Sequence, residues 1–271
     1  MQPSEATLSR ANLSFVHRGD RTIVRAARAE SPLALLTPRN HGHAAWVMVA
    51  SFGGGLVDGD SVRLDVDVGP GAAGLLGTQA STKVYRCPTS TCRQDTAATV
   101  AAGGLLVMIP DPVACFATAR YEQSLRLDLA ADASLVLVDA FTAGRSARGE
   151  RWAFHRYAAR TVVSRAGAPL VHDSILLDPA HGELGARLGR FDAFATLVIT
   201  GPRAAPLAAA ARDLPVPTRQ AALLQAVSPL GDGGVIVRIA GASIEAVNLA
   251  VRARLAGLGK VLGDDPFARK W

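Results

Sequence analysis

Apolar and polar residues alternate one by one over much of this chain. In Val62-Arg63-Leu64-Asp65-Val66-Asp67-Val68 aliphatic residues take every second position and charges take the others. That period of two is what a half-buried strand requires, because successive side chains leave opposite faces. Leu125-Arg126-Leu127-Asp128-Leu129 repeats it. Leu135-Val136-Leu137-Val138 carries no polar position and reads as a strand buried on both faces. Turn formers at Gly69-Pro70-Gly71, Gly103-Gly104, Ala131-Asp132 and Gly167-Ala168-Pro169 divide the chain into short strands. The period lengthens near the C-terminus. Val235-Ile236-Val237-Arg238-Ile239 is a strand, after which Ser243 offers a capping hydroxyl. Ile244, Val247, Val251, Leu255 and Leu258 then recur at helical spacing, with Gly257 and Gly259 as the expected stop. Residues 207–212 and 220–227 are further helical candidates. The pattern predicts a mainly β protein, a large multi-stranded β-helical or sandwich-like fold with about two α-helices in the C-terminal third.

The chain has 271 residues, 49% of them hydrophobic, enough for a substantial core. No linker or charge block divides it, and the Ala- and Pro-rich stretch 201–217 reads as a connection inside one domain, 1–271. Met1-Gln2-Pro3-Ser4-Glu5 lacks the basic flank and apolar core of a signal peptide, and no run approaches the ~20 apolar residues of a membrane span. Cys87, Cys92 and Cys115 are an odd, sparse set that suits a reducing compartment. A cytoplasmic protein with no membrane partner is expected.

Net charge is +6, and lysine contributes only Lys83, Lys260 and Lys270. Arg145, Arg148, Arg151, Arg156, Arg160 and Arg165 stand in one segment against a single acid, Glu150. No recognition helix or stacking-aromatic motif accompanies them, so nucleic acid is not the expected partner. Guanidinium forks pair with carboxylates, which points to an acidic protein surface.

Gly53-Gly54-Gly55-Leu56-Val57-Asp58-Gly59-Asp60 has the glycine spacing of a phosphate-binding loop, with Ser61 at the hydroxyl position. Asp60 occupies the place of the lysine that would meet the phosphates, and a carboxylate there repels them. A strand pattern follows where a helix should open. The segment is a glycine-rich turn carrying two acids. No nucleophile elbow and no His-Glu-x-x-His motif is present.

That turn, followed by Thr78-Gln79-Ala80-Ser81-Thr82-Lys83-Val84-Tyr85-Arg86, resembles the UreD (UreH) family of urease accessory proteins. The resemblance resumes at Ile109-Pro110-Asp111-Pro112, Phe116, Ala119-Arg120-Tyr121, Thr142-Ala143-Gly144-Arg145 and Arg148-Gly149-Glu150-Arg151-Trp152. It covers the chain from about residue 20 onward. Ser51-Phe52-Gly53 stands where many relatives have Pro-Pro, so the turn is entered differently here. The resemblance implies a non-enzymatic scaffold and metallochaperone on a large multi-stranded β fold. Its implied partners are UreF directly, the GTPase UreG through UreF, and apo-urease. It implies no tightly bound cofactor, only transient Ni²⁺.

Each candidate residue has a structural alternative. Asp60 either lines a nickel route or bonds local amides with Asp58. Thr82, with Thr78, Gln79, Ser81 and Lys83, either lines a passage or forms a polar strand face over Tyr85. Asp139 ends a buried strand and needs a partner, which Arg145 or Arg148 can supply, unless it serves a metal path. Asp173 is a similar case, with His172 on the opposite face. His43, paired with His41 across Gly42, is either a metal ligand or a loop residue. Cys87 and Cys92 lack the four ligands of a structural zinc site. Glu150 reads as an ion-pair residue, and Trp152 and Phe154 as core residues sharing a strand face. Arg145, Arg148, Arg151 and Arg156, with the tail Arg269, Lys270 and Trp271, are the candidate docking residues. The alternative function is a metal-dependent enzyme on a β scaffold, with Asp58, Asp60 and Asp139 as ligands.

Overall fold

A computed structural model describes residues 8–213, 218, 220–231 and 233–268. The chain begins with an antiparallel pair, β1 (Leu8–Arg18) and β2 (Arg21–Ala29), in a first sheet. It crosses to a second sheet for β3 (Leu33–Leu36) and β4 (Ala45–Ser51). It then winds between the sheets. β5 (Ser61–Val68) lies in the first and β6 (Ala73–Thr78) in the second. After the short β7 (Lys83–Val84), β8 (Cys92–Val100) returns to the first and β9 (Leu105–Ile109) to the second. After β10 (Val113–Cys115) come β11 (Arg120–Leu129) in the first and β12 (Ser134–Thr142) in the second. A small ribbon of β13 (Gly144–Arg145) and β14 (Glu150–Arg151) leads to β15 (Arg156–Arg165) and β16 (Ala168–Leu177) in the first sheet.

The C-terminal part adds α1 (Leu184–Leu188), β17 (Ala193–Thr200), α2 (Ala205–Arg212), β18 (Leu223–Pro229), β19 (Val235–Gly241), α3 (Ile244–Arg254) and α4 (Leu258–Leu262). The first sheet runs β16-β15-β11-β8-β5-β1-β2 and the second β18-β19-β17-β12-β9-β6-β4-β3. Each winding lays one strand on each sheet in the same direction, so β5, β8, β11 and β15 are parallel neighbours, as are β4, β6, β9 and β12. The fold is thus a β-solenoid-like sandwich with antiparallel margins.

Two apolar layers result. One lies between the sheets and contains Phe15, Val66, Leu127, Leu106 and Leu137. The other lies between the second sheet and the helices, and joins Leu75, Leu105, Val136, Leu197 and Val237 to Leu207, Val247, Val251, Leu255 and Leu258. The second sheet is therefore covered on both sides, which is why β9 and residues 135–138 are continuously apolar and buried. The first sheet faces solvent outward, which accounts for the alternation in β5 and β11.

Three expectations need correction. Residues 220–227 do not form a helix, because β18 pairs with β19 along its length, and a hairpin partner overrides local propensity. Ser243 caps α3 through Ala246 N–H as expected, but α3 stops at Arg254; Gly257 precedes α4, Gly259 lies inside it, and Gly263 at φ 81° terminates it. The fold class itself is as expected, mainly β with its helices in the C-terminal third; four are present among the described residues, and α1 and α4, of five residues each, are too short to show a period. Trp152 and Phe154 are core residues, but they lie in the irregular segment between β14 and β15 rather than on a strand.

Candidate functional site

Between the two sheets, at the end where β4, β6 and β9 finish and β5, β8 and β11 begin, lies a cavity of ≈ 260 Å³. Its apolar wall includes Val62, Leu64, Leu76, Met108, Leu125 and Leu137. Its polar wall includes Ser51, Thr78, Gln79, Ser81 and Thr82, with Gln94, Thr96 and Gln123 from the first sheet. Among the described residues two inward acids lie in the lining, Asp111 and Asp139, and no lysine or arginine does; Asp95 also borders it, but its exposed side chain has the outward parity of Arg93 on β8. The windings place the two glutamines there, since positions of one parity on β8 and β11 turn inward and Gln94 and Gln123 are register neighbours.

Asp139 is held by Gln123, whose Nε2 donates to Oδ1 at 3.0 Å. Gln123 Oε1 lies 3.1 Å from the Tyr121 hydroxyl, which is also 3.2 Å from Gln94 Oε1 and donates to one of them at a time. Asp111 is bonded to Thr78, donating its N–H to the threonine Oγ1 at 2.7 Å and accepting the hydroxyl at 3.1 Å. Burial pushes the Asp139 carboxyl above the ordinary carboxylate range; Gln123 opposes this, and the charge of Asp173 adds to it. The surface Asp139 retains opens on the cavity, which reconciles its partial exposure with a strongly desolvated carboxyl. Behind this group Tyr157 stacks on Phe141 at 4.6 Å, and its buried hydroxyl has no protein partner among the described residues.

The glycine-rich turn forms part of the cavity wall through Gly54, Gly55 and Leu56. A Cβ on Gly55 would stand 2.4 Å from Lys83 O, so only glycine allows this approach to β7. Asp60 does not line the cavity; its Oδ2 accepts Val57 N–H at 2.8 Å and closes the turn. Asp58 reaches the neighbouring loop, accepting Ser90 N–H at 2.8 Å and Thr89 N–H at 3.2 Å. The Thr89 hydroxyl bond holds the Asp58 carboxyl below its usual range.

Thr82 and Asp139 are thus brought together in one lining. Asp139 has Gln123 as its partner, not Arg145 or Arg148, because Arg145 is taken by Glu150. Asp173 points inward and forms an ion pair with Arg238 at 3.2 Å, while His172 is exposed on the opposite face. Asp139, Thr196 and Arg238 are register neighbours across β12, β17 and β19, so a polar belt joins the cavity to this pair at the sheet margin. His43 precedes β4, while the cavity takes Val49, Ala50 and Ser51 at its far end, about 20 Å away along an extended strand. It lies beside Arg203, 3.5 Å from Nε2, a cation that disfavours metal binding. Among the described residues no three His, Cys, Asp or Glu side chains are grouped to hold a metal ion, so Asp58, Asp60 and Asp139 do not form a ligand set.

The arginine segment is largely paired within the chain. Arg145 meets Glu150 and covers the Phe116 ring at 4.1 Å; Arg151 meets Asp192 at 2.6 Å; Arg156 meets Glu122 at 3.2 Å and Asp178 at 3.4 Å. Arg148 is exposed, without an ion pair among the described residues. Arg269, Lys270 and Trp271 lie outside the described residues.

Sequence reasoning missed Gln94 and Gln123 in the lining. The signal was available for the glutamines. Gln123 shares its parity on β11 with Tyr121, Leu125, Leu127 and Leu129, and a polar residue in an inward row marks a polar interior.

Comparison with known proteins gives a consistent picture. The sequence profile of a family described as UreD urease accessory protein matches residues 8–271. A Sorangium cellulosum (strain So ce56) protein named urease accessory protein UreD is 60% identical over 260 residues, 96% of this chain and 83% of that protein. One of the same name from Anaeromyxobacter sp. (strain Fw109-5) is 46% identical over 90% of this chain and 83% of its own length. Urease accessory protein D of Oryza sativa subsp. indica is 32% identical, covering 91% of each chain.

Proposed function

The chain belongs to the UreD family of urease accessory proteins, and from that premise we propose that it is a non-enzymatic scaffold which conducts Ni²⁺ toward apo-urease. It binds UreF directly and meets the GTPase UreG through UreF. The cation is cargo, held briefly by oxygen atoms and released. Nickel stands high among first-row metals in affinity for nitrogen and sulfur ligands, so a histidine or thiolate cage would retain it. Carboxylates, hydroxyls and amides spread along a wall hold it loosely.

One observation carries this reading: among the described residues the charged side chains turned into the inter-sheet cavity, Asp111 and Asp139, are carboxylates, and no lysine or arginine lines it. On this reading Thr78, Thr82, Asp111, Gln123 and Asp139 form the wall of the route, and Asp60 shapes the turn beside it. Asp173 flanks the route where the polar belt meets the margin. Among the described docking arginines, Arg148 is exposed and carries no ion pair. The test is reconstitution. The full chain, co-expressed with UreF, is expected to co-purify with it and to support activation of apo-urease by UreG, GTP and Ni²⁺. A folded chain that associates with neither UreF nor urease would end the proposal.

A further inference from the structure

Two thiols stand beside the glycine-rich turn and outside the cavity lining. Cys87 and Cys92 are buried, and their sulfurs are 3.4 Å apart. The cover over them is thin, since Pro88, Thr89 and Ser90 between them are exposed. Cys87 also lies 3.3 Å from Tyr85 O, and Cys92 lies 3.0 Å from Val57 O. Two S–H protons serve three contacts, so one contact is always without a hydrogen. The two sulfurs are also unequal. The bond from Cys92 draws the Cys87 thiol below its ordinary range, whereas the same bond and burial push Cys92 up. Cys115 is raised by burial in the core. A nucleophilic sulfur, a protonated neighbour in contact with it and a third, inert thiol make an ordered set.

We propose that Cys87 and Cys92 are a peroxide-sensitive thiol pair whose closure to a disulfide loosens the glycine-rich turn at the cavity wall. The Cys87 thiolate attacks one oxygen of hydrogen peroxide and the O–O bond breaks. Hydroxide leaves and takes a proton to become water, and Cys87 is left as the sulfenic acid. The Cys92 sulfur then attacks the Cys87 sulfur, the S–O bond breaks, and a second water departs with the Cys92 proton. Two thiols and one peroxide give one disulfide and two waters; the sulfurs lose two electrons and the peroxide oxygens gain them. Closure requires the sulfurs to approach by roughly 1.4 Å, to the ~2.05 Å of a disulfide. Cys92 then has no proton for Val57 O, which keeps only the Asp60 N–H at 2.9 Å among its described donors. Asp58 still ties the turn to Thr89 and Ser90, so the movement of the 87–92 loop is transmitted to it. An effect on cation passage rests on the conduit reading above; the disulfide and the loosened turn do not.

Arg86 and Arg93 bracket the pair, so trypsin releases both cysteines in one peptide, residues 87–93. The reduced full chain is treated with hydrogen peroxide, free thiols are capped with iodoacetamide, and the digest is weighed without reductant. The expected peptide 87–93 is two hydrogens lighter and uncapped, while Cys115 is capped; dithiothreitol before capping restores two caps. Two caps on 87–93 after peroxide, Cys87 oxidised to the sulfinic acid with Cys92 capped, or a linkage through Cys115 would each overturn the pair. Hydrogen exchange of amides 53–60 is expected to quicken on oxidation in the wild-type chain and not in Cys87→Ser. Unchanged exchange in the oxidised wild-type chain would overturn the loosened turn. Urease activation is measured separately, so a failure of the conduit reading is distinguishable from a failure of the thiol pair.

Discussion

Replacing Asp139 by asparagine separates the charge of this side chain from its shape. Gln123 Nε2 donates to Oδ1 at 3.0 Å, and an asparagine oxygen accepts the same bond. The variant should therefore stay within about 1 kcal/mol of the wild type, the net worth of one neutral hydrogen bond. Asp139→Leu removes the acceptor, leaves the Gln123 amide unpaired and should cost about 1–3 kcal/mol. The pH dependence has a definite sign. Burial raises the folded-state pKa of Asp139 above the ordinary carboxylate value, so the folded chain keeps this proton to higher pH than the unfolded chain. Between the two values the unfolded state binds fewer protons, and the contribution of Asp139 to stability falls as pH rises through that window. Asparagine has no such term, so the variant should gain on the wild type as pH rises. Function should move the other way. A carboxylate about 4 Å from a monovalent charge is worth about 4 kcal/mol at an effective dielectric of 20, and about 8 kcal/mol against a dication. If desolvation and the amide dipole cancel all but about 1.4 kcal/mol, the transfer rate still falls about tenfold. The assay is urease activity gained per unit time from apo-urease, UreF, UreG, GTP and Ni²⁺, with thermal melting of each variant alongside. Asp139→Asn that melts like the wild type and activates urease at the wild-type rate would refute the reasoning.

Other substitutions test the walls of the site. Asp60→Ala removes the acceptor of Val57 N–H at 2.8 Å and should cost about 0.5–1.5 kcal/mol while leaving the circular dichroism unchanged and slowing activation. Asp60→Asn keeps the acceptor and should restore activation if Asp60 only shapes the turn; equal impairment of both variants would place its charge on the route. Gly55→Ala drives a Cβ to 2.4 Å from Lys83 O and 2.8 Å from the Tyr85 ring, and should lower stability to denaturant by about 1–3 kcal/mol. A change below about 0.5 kcal/mol would mean the turn is not seated against β7. Tyr157→Phe removes a buried hydroxyl that has no protein partner among the described residues and should be neutral or raise the melting temperature. A loss above about 1 kcal/mol would show that the hydroxyl is satisfied in solution.

Much of the fold was legible because burial writes itself on the sequence with period two. β5, β11 and residues 135–138 show in their alternation which sheet they join, one-sided or covered on both faces. The winding between sheets was not legible, since parallel pairing is set by connections and leaves no local mark. Residues 220–227 misled for the same reason: their state is decided by β19, several residues further on. Within the site, Thr82 and Asp139 were found by resemblance and by the cost of ending a buried strand on an acid. The partner of Asp139 was not, because Gln123 is 16 residues away and meets it only across the gap between sheets. Near-neighbour arginines invited a pairing that Glu150 had already taken.

The position of the cavity follows from side-chain size along the inward rows. At one end of the sandwich the rows carry Phe15, Val68, Val100, Leu129, Leu106 and Leu135, which fill the gap between the sheets. At the other end the same strands carry Thr78, Gln94, Thr96 and Gln123, and the connecting turns bring Gly54, Gly55 and Ala80 to the wall. Short side chains and glycines leave space there, and the polar groups are tolerated because they bond one another, as Gln123 does Asp139 and Thr78 does Asp111. Aromatic rings of Tyr121, Tyr157, Phe141, Trp152 and Phe194 close the side of that space nearest β15 and β17. None of these rings lies on the glycine-rich turn or on the belt through Asp139, Thr196 and Arg238 to Asp173. On the conduit proposed above, a cation would enter beside the glycine-rich turn and leave along that polar strip.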